Sequence, residues 1–97
     1  MVMPPSLTPA QRKVYEALRL RILALVTEYD GFRQHTLADS VGASQSLVSK
    51  ILRGHATSVP VLERLARVMM LHISQTDRRA LRAQLDAAVR VLRRYRQ

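Results

Sequence analysis

The chain contains no cysteine and no tryptophan, one phenylalanine and only three glycines among 97 residues. Without cysteine, disulfide frameworks, thiolate zinc sites and cysteine nucleophiles are excluded together, and a reducing compartment is the natural setting. Three scattered glycines cannot form a Gly-rich phosphate loop. No apolar run approaches the roughly 18 residues of a membrane span. Met1 to Ser6 also lacks a basic segment leading into an apolar one, so a cytoplasmic location without membrane contact is expected. Aromatics make up 4% of the sequence against 47% hydrophobic residues, which leaves Leu, Val, Ile, Ala and Met to build the core. That palette favours packed helices, and the length suits a single domain.

Acidic groups are also scarce. The seven Asp and Glu stand singly, none paired with a His or Ser at a spacing that makes an acid, base or nucleophile constellation. His35, His55 and His72 are far apart and unaccompanied by carboxylates. A non-enzymatic protein is expected, with no metal, no cofactor and no small-molecule substrate. Against the seven acids stand sixteen Lys and Arg, a formal charge of +9 and a pI near 11.5. Such a balance is the footprint of a polyanion binder. Nucleic acid, an anionic membrane and an acidic partner all satisfy it. The excess is greatest over residues 77–97, with seven basic and two acidic side chains. There Arg90, Arg93, Arg94 and Arg96 read as a solvated face, as a complement to the helix dipole, or as an auxiliary phosphate contact. With no Trp, and with Phe32 far from this segment, a lipid surface is the weakest of the partners.

Local signals predict five helices. Residues 1–7, with Pro4 and Pro5, read as a flexible lead. Thr8-Pro9 opens a helix of about 20 residues whose inward stripe is Val14, Leu18, Ile22, Leu25 and Val26, closed by Asp30-Gly31. A short second helix carries Leu37, Ala38 and Val41 and stops at Gly42; Ser44 caps a third with Leu47, Val48, Ile51 and Leu52 before Gly54. Ser58 caps a fourth with Leu62, Leu65, Ala66 and Met69, and Pro60 is tolerated in its first turn. Thr76 is the expected cap of the fifth, whose Leu81, Leu85, Ala88, Leu92 and Tyr95 alternate at heptad spacing. The stripe reads either as closing the monomer's own core or as a homodimer contact; because the first four helices suffice for a core, the homodimer contact is the one expected, residues 76–97 being a dimerisation extension of a domain over 8–75.

The second and third helices with their three-residue turn make a helix-turn-helix pattern over 34–53. Ala38 stands where the helices cross, and Gly42 where the turn favours a positive φ. Leu37, Val41, Val48 and Ile51 form the underside that sets the third helix outward. Gln34 through Met69, with Leu37-Ala38, Val41-Gly42-Ala43-Ser44, Val48-Ser49-Lys50-Ile51, Arg53-Gly54 and a following helix bearing Leu62, Leu65 and Ala66, resembles the lambda-repressor-like (XRE type) helix-turn-helix family over a little over a third of the chain. Where the family commonly has Glu, this chain has Leu52, so apolar packing must replace an ion pair to the first helix.

The resemblance implies an all-α fold whose third helix enters the major groove of double-stranded DNA N-terminus first. It places Ser44, Gln45, Ser46, Ser49 and Lys50 at base edges, Gln45 suiting adenine and Lys50 guanine. Gln34, at a helix start, suits a phosphate, and Arg33, Arg53, His55 and Thr57 flank the probe as further backbone contacts. A dimeric transcriptional regulator, most simply a repressor on a near-palindromic operator, is the function expected. The rivals are an antitoxin-type autoregulator that grips a protein partner through its first or fifth helix, and a sequence-indifferent nucleic-acid binder.

Overall fold

The element boundaries follow from short capping signals. A computed structural model describes residues 7–29 and 34–93, with the backbone alone at Gln34 and His35. The expectations placed on Asp30-Gly31, Arg33, Tyr95, Arg94, Arg96 and the Gln34 side chain lie outside the described residues. Those residues form five helices and no strand. In α1 (Pro9–Glu28) the Thr8 hydroxyl accepts from the Gln11 backbone N–H at 3.2 Å, and Gln11 Oε1 accepts from the Thr8 N–H at 2.9 Å. This reciprocal box satisfies two of the amides that a helix start leaves orphaned. Then come α2 (Gln34–Val41), α3 (Gln45–Leu52), α4 (Val59–Met69) and α5 (Gln75–Arg93). The hydroxyls of Ser44 and Ser58 cap α3 and α4 by accepting from the N–H groups of Leu47 and Val61.

The cap of α5 is Ser74, two residues before the expected Thr76. Its hydroxyl accepts from the Asp77 N–H at 3.2 Å and donates to the Asp77 carboxylate at 3.1 Å. Its own N–H is held by Tyr29 Oη at 3.0 Å, and that phenol donates in turn to Asp77. A cap anchored from α1 outcompetes one with only local partners, and Thr76 is left exposed in the first turn.

Helix α1 is the post against which α3, α4 and α5 pack. Its buried face is Gln11, Tyr15, Leu18, Ile22 and Leu25, with Val14 and Val26 only half-buried at the edge. The expected stripe had the right period but its centre was rotated, because α1 meets α5 on one flank and α3 with α4 on the other. Along the first flank the helices run antiparallel: Tyr29 reaches Asp77, Arg21 donates to Gln84 at 3.1 Å, and Gln11 Nε2 reaches the Val91 carbonyl at 3.5 Å.

This packing gives four residues of the α5 stripe a partner inside the chain, the other of the two coverings open to it from sequence. Leu81, Leu85, Ala88 and Leu92 are each at most 2% exposed and belong to the same core as Leu18, Ile22, Leu65 and Met69. Covered in this way within one chain, these four side chains offer little apolar surface to drive association with a second copy. A radius of gyration of 13.2 Å agrees with the roughly 13 Å of a compact 100-residue domain, as it would not if α5 projected as an arm. The stripe is needed internally because α1 to α4 leave the α5-facing side of α1 open to water. Leu85→Ala should therefore lower the unfolding free energy by about 2–5 kcal/mol in urea denaturation. A loss below about 1 kcal/mol would mean that α5 is not part of the core.

Candidate nucleic-acid interface

The two glycine corners on either side of α3 are built alike. At the end of α2, Gly42 has φ +69°, its N–H bonds to the Asp39 carbonyl at 3.3 Å, and the Ala43 N–H bonds to the Ala38 carbonyl at 3.0 Å. At the end of α3, Gly54 has φ +83°, its N–H bonds to the Ile51 carbonyl at 3.1 Å, and the His55 N–H bonds to the Lys50 carbonyl at 2.8 Å. Both are paired bonds of the Schellman type around a left-handed residue. At each corner the last carbonyl of the helix is met by an arginine from elsewhere. Arg64 of α4 donates to the Val41 carbonyl at 3.3 Å, and Arg19 of α1 to the Leu52 carbonyl at 2.7 Å. Arg19 is itself held by Glu16. The Leu52 side chain is buried, so apolar packing does fill this position, yet α1 still sends a cation to the end of α3.

Clamped at its C-terminus, α3 buries one side only. Val48, Ile51 and Leu52 are 0–1% exposed, whereas Ser44, Gln45, Ser46, Leu47 and Lys50 are exposed and Ser49 is half-buried. Ser46, Lys50 and Arg53, three or four residues apart, share the outward face. Four of the five expected base-contact residues thus lie on open surface, with Ser49 on the flank. Ser44 also does structural work as the cap, its hydroxyl hydrogen remaining available to donate. Of the flanking set, Arg53, His55 and Thr57 are exposed in the connection to α4. Leu47, the exposed apolar residue among them, was read from sequence only as one of the apolar residues of the third helix; it stands in the first turn, at the edge of the buried face of Val48, Ile51 and Leu52.

The segment of chain that contains α3 carries charge of one sign. From Ser40 to Leu62 the chain has no carboxylate, and Lys50 and Arg53 lie within that stretch. The free amides of the α3 N-terminus add a partial positive charge at the exposed end. Among the described residues no three His, Asp or Glu side chains come together in a way that would hold a metal ion. No helix there is long and apolar enough to cross a membrane.

The α3–α4 connection is fixed from below by Tyr15. This side chain is 2% exposed, and its Oη accepts from the Ser58 N–H at 3.1 Å. Burial raises its pKa above the ordinary value; the Ser58 bond and Arg19 oppose the shift, and Glu16 adds to it. Nothing in its sequence neighbourhood marked Tyr15 for this role.

Compared with known proteins, the chain matches no family model, no curated sequence and no solved structure.

Two stability measurements check this geometry. No atom lies within 4 Å of a Cβ built on Gly42, so Gly42→Ala carries the conformational cost alone, about 1–2 kcal/mol. Gly42→Asn should cost less. Equal unfolding free energies for wild type and Gly42→Ala would show that the corner is not left-handed. For Tyr15 the raised folded pKa means that the unfolded phenol ionises first. Its contribution is therefore complete below about pH 10 and lost as pH rises from there through the folded value. The stability gap between wild type and Tyr15→Phe, about 1–3 kcal/mol at pH 8, should narrow above pH 10. A constant gap across that range would contradict the burial of the ring.

Proposed function

We propose that this protein is a sequence-specific double-stranded DNA-binding regulator of the lambda-repressor-like helix-turn-helix type, and that it binds rather than catalyses. The observation that carries this is the two-sidedness of α3. One side is fully buried, and the other presents Gln45, Ser46 and Lys50 from a helix start free of nearby carboxylates. A helix about 10 Å across with such a face suits a major groove about 12 Å wide. In this reading Gln45 bonds to an adenine edge, Lys50 reaches guanine acceptors, Ser44, Ser46 and Ser49 make shorter contacts, and Arg53, His55 and Thr57 hold the phosphate walls.

A dimer of two copies on a near-palindromic site, acting as a repressor inside the cytoplasm, follows as part of the same proposal. Its contact must come from an outer surface, because the α5 stripe is already covered. Occupying a promoter is the simplest action for a helix-turn-helix of this kind.

Selection of bound duplexes from a random pool, using the full chain, tests the proposal. The expected result is one consensus bound at least about a thousandfold more tightly than random DNA at fixed salt. Its two-fold symmetry reports the dimer. Gln45→Ala should then cost about 1–3 kcal/mol at particular base pairs while leaving the others alone. Binding without preference, falling steeply with salt, would instead identify a charge-driven binder.

A further inference from the structure

Among the described residues three large apolar side chains are exposed: Leu20 at 54%, Leu47 at 36% and Leu71 at 76%. Leu20 lies opposite the buried face of α1, and Leu71 lies between α4 and α5. Leu47 stands alone among them in facing out from α3. It occupies the third position of that helix, and its N–H is held by the Ser44 hydroxyl at 3.0 Å. The cap therefore fixes Leu47 in the exposed first turn. Around it are Gln45, Ser46 and, one turn on, Lys50.

An exposed leucine gains little from folding, since its surface stays partly in water. Its surroundings are polar and cationic, which suits a hydrated anionic partner and not the apolar groove of another protein. On the floor of the major groove the distinctive apolar group is the C5 methyl of thymine. We propose that Leu47 is a specificity residue that packs on a thymine methyl and so requires thymine at one fixed position of each half-site. This inference rests on the proposed DNA-binding function and adds to it a reader that makes no hydrogen bond. It separates A·T from T·A by shape, where Gln45 and Lys50 act through donors and acceptors.

The probes are the duplex selected above and a set of copies in which each thymine in turn is replaced by deoxyuridine, which removes the methyl and keeps every hydrogen-bonding group. Wild type should bind the copy substituted at that position, in either half-site, about fourfold more weakly, the factor for one methyl leaving an apolar contact. Leu47→Ala should bind that copy and the parent duplex equally. Its thermal unfolding should match wild type, as the side chain lies outside the core cluster. A consensus lacking an invariant thymine, no uridine effect in wild type, or the same uridine effect in wild type and Leu47→Ala overturns the proposal while leaving DNA recognition by α3 standing. Failure to select any preferred duplex removes both.

Discussion

The structure depends on how the C-terminal carbonyls of its short helices are satisfied. A helix of eight residues such as α2 or α3 has more unpaired end groups than internal bonds, and alone in water it would not persist. Here the glycine corners meet some of the carbonyls locally, and others are met from other helices. Arg64 of α4 closes α2, Arg19 of α1 closes α3, and Arg78 of α5 closes α4 through the Met70 carbonyl at 2.7 Å and the Ile73 carbonyl at 3.3 Å. Each guanidinium is a fixed cation at the negative end of a helix dipole, and each bond also locates one helix against another. Part of the chain's basic excess is thus structural, while Lys50 and Arg53 remain exposed in the carboxylate-free stretch around α3.

This arrangement explains why α3 is held firmly at one end and open at the other. Its C-terminus is closed by Gly54 and Arg19, and the following connection is tied down by Tyr15 through Ser58. Its N-terminus has only Ser44 as cap and is otherwise free to meet a ligand. A helix presented this way needs no adjustment of the core to enter a groove, so little binding energy is lost to ordering. The long α1, locked antiparallel to α5 by Gln11, Arg21 and Tyr29, supplies the rigid backing.

The parts of the fold legible from sequence were those governed by neighbours within one helical turn. Thr8, Ser44 and Ser58 as caps, Gly42 and Gly54 as corners, and the inward residues of α3 and α4 all follow from side chains acting on their own backbone or from a period of 3.6. The misplaced features each involve a distant partner. Ser74 replaces Thr76 because Tyr29 reaches it from α1, and the α1 stripe is rotated toward Tyr15 because two different surfaces press on that helix. The candidate interface was legible in its residue types, since Ser46 and Lys50 fall away from Val48 and Gln45 stands at the start of the helix. Leu47 escaped notice because residue type alone assigns a leucine to the core.

Composition, capping signals and periodicity by themselves determined an all-helical chain of five elements with a two-sided third helix, because those properties arise between residues close together along the chain. What covers each apolar face is a question of which helix arrives there first. Heptad spacing in α5 specifies that Leu81, Leu85, Ala88 and Leu92 must be covered but is silent on whether a second copy or α1 covers them. Only the tertiary structure decided that, because the partner surface lies some 60 to 80 residues away along the chain, where no local pattern can register it.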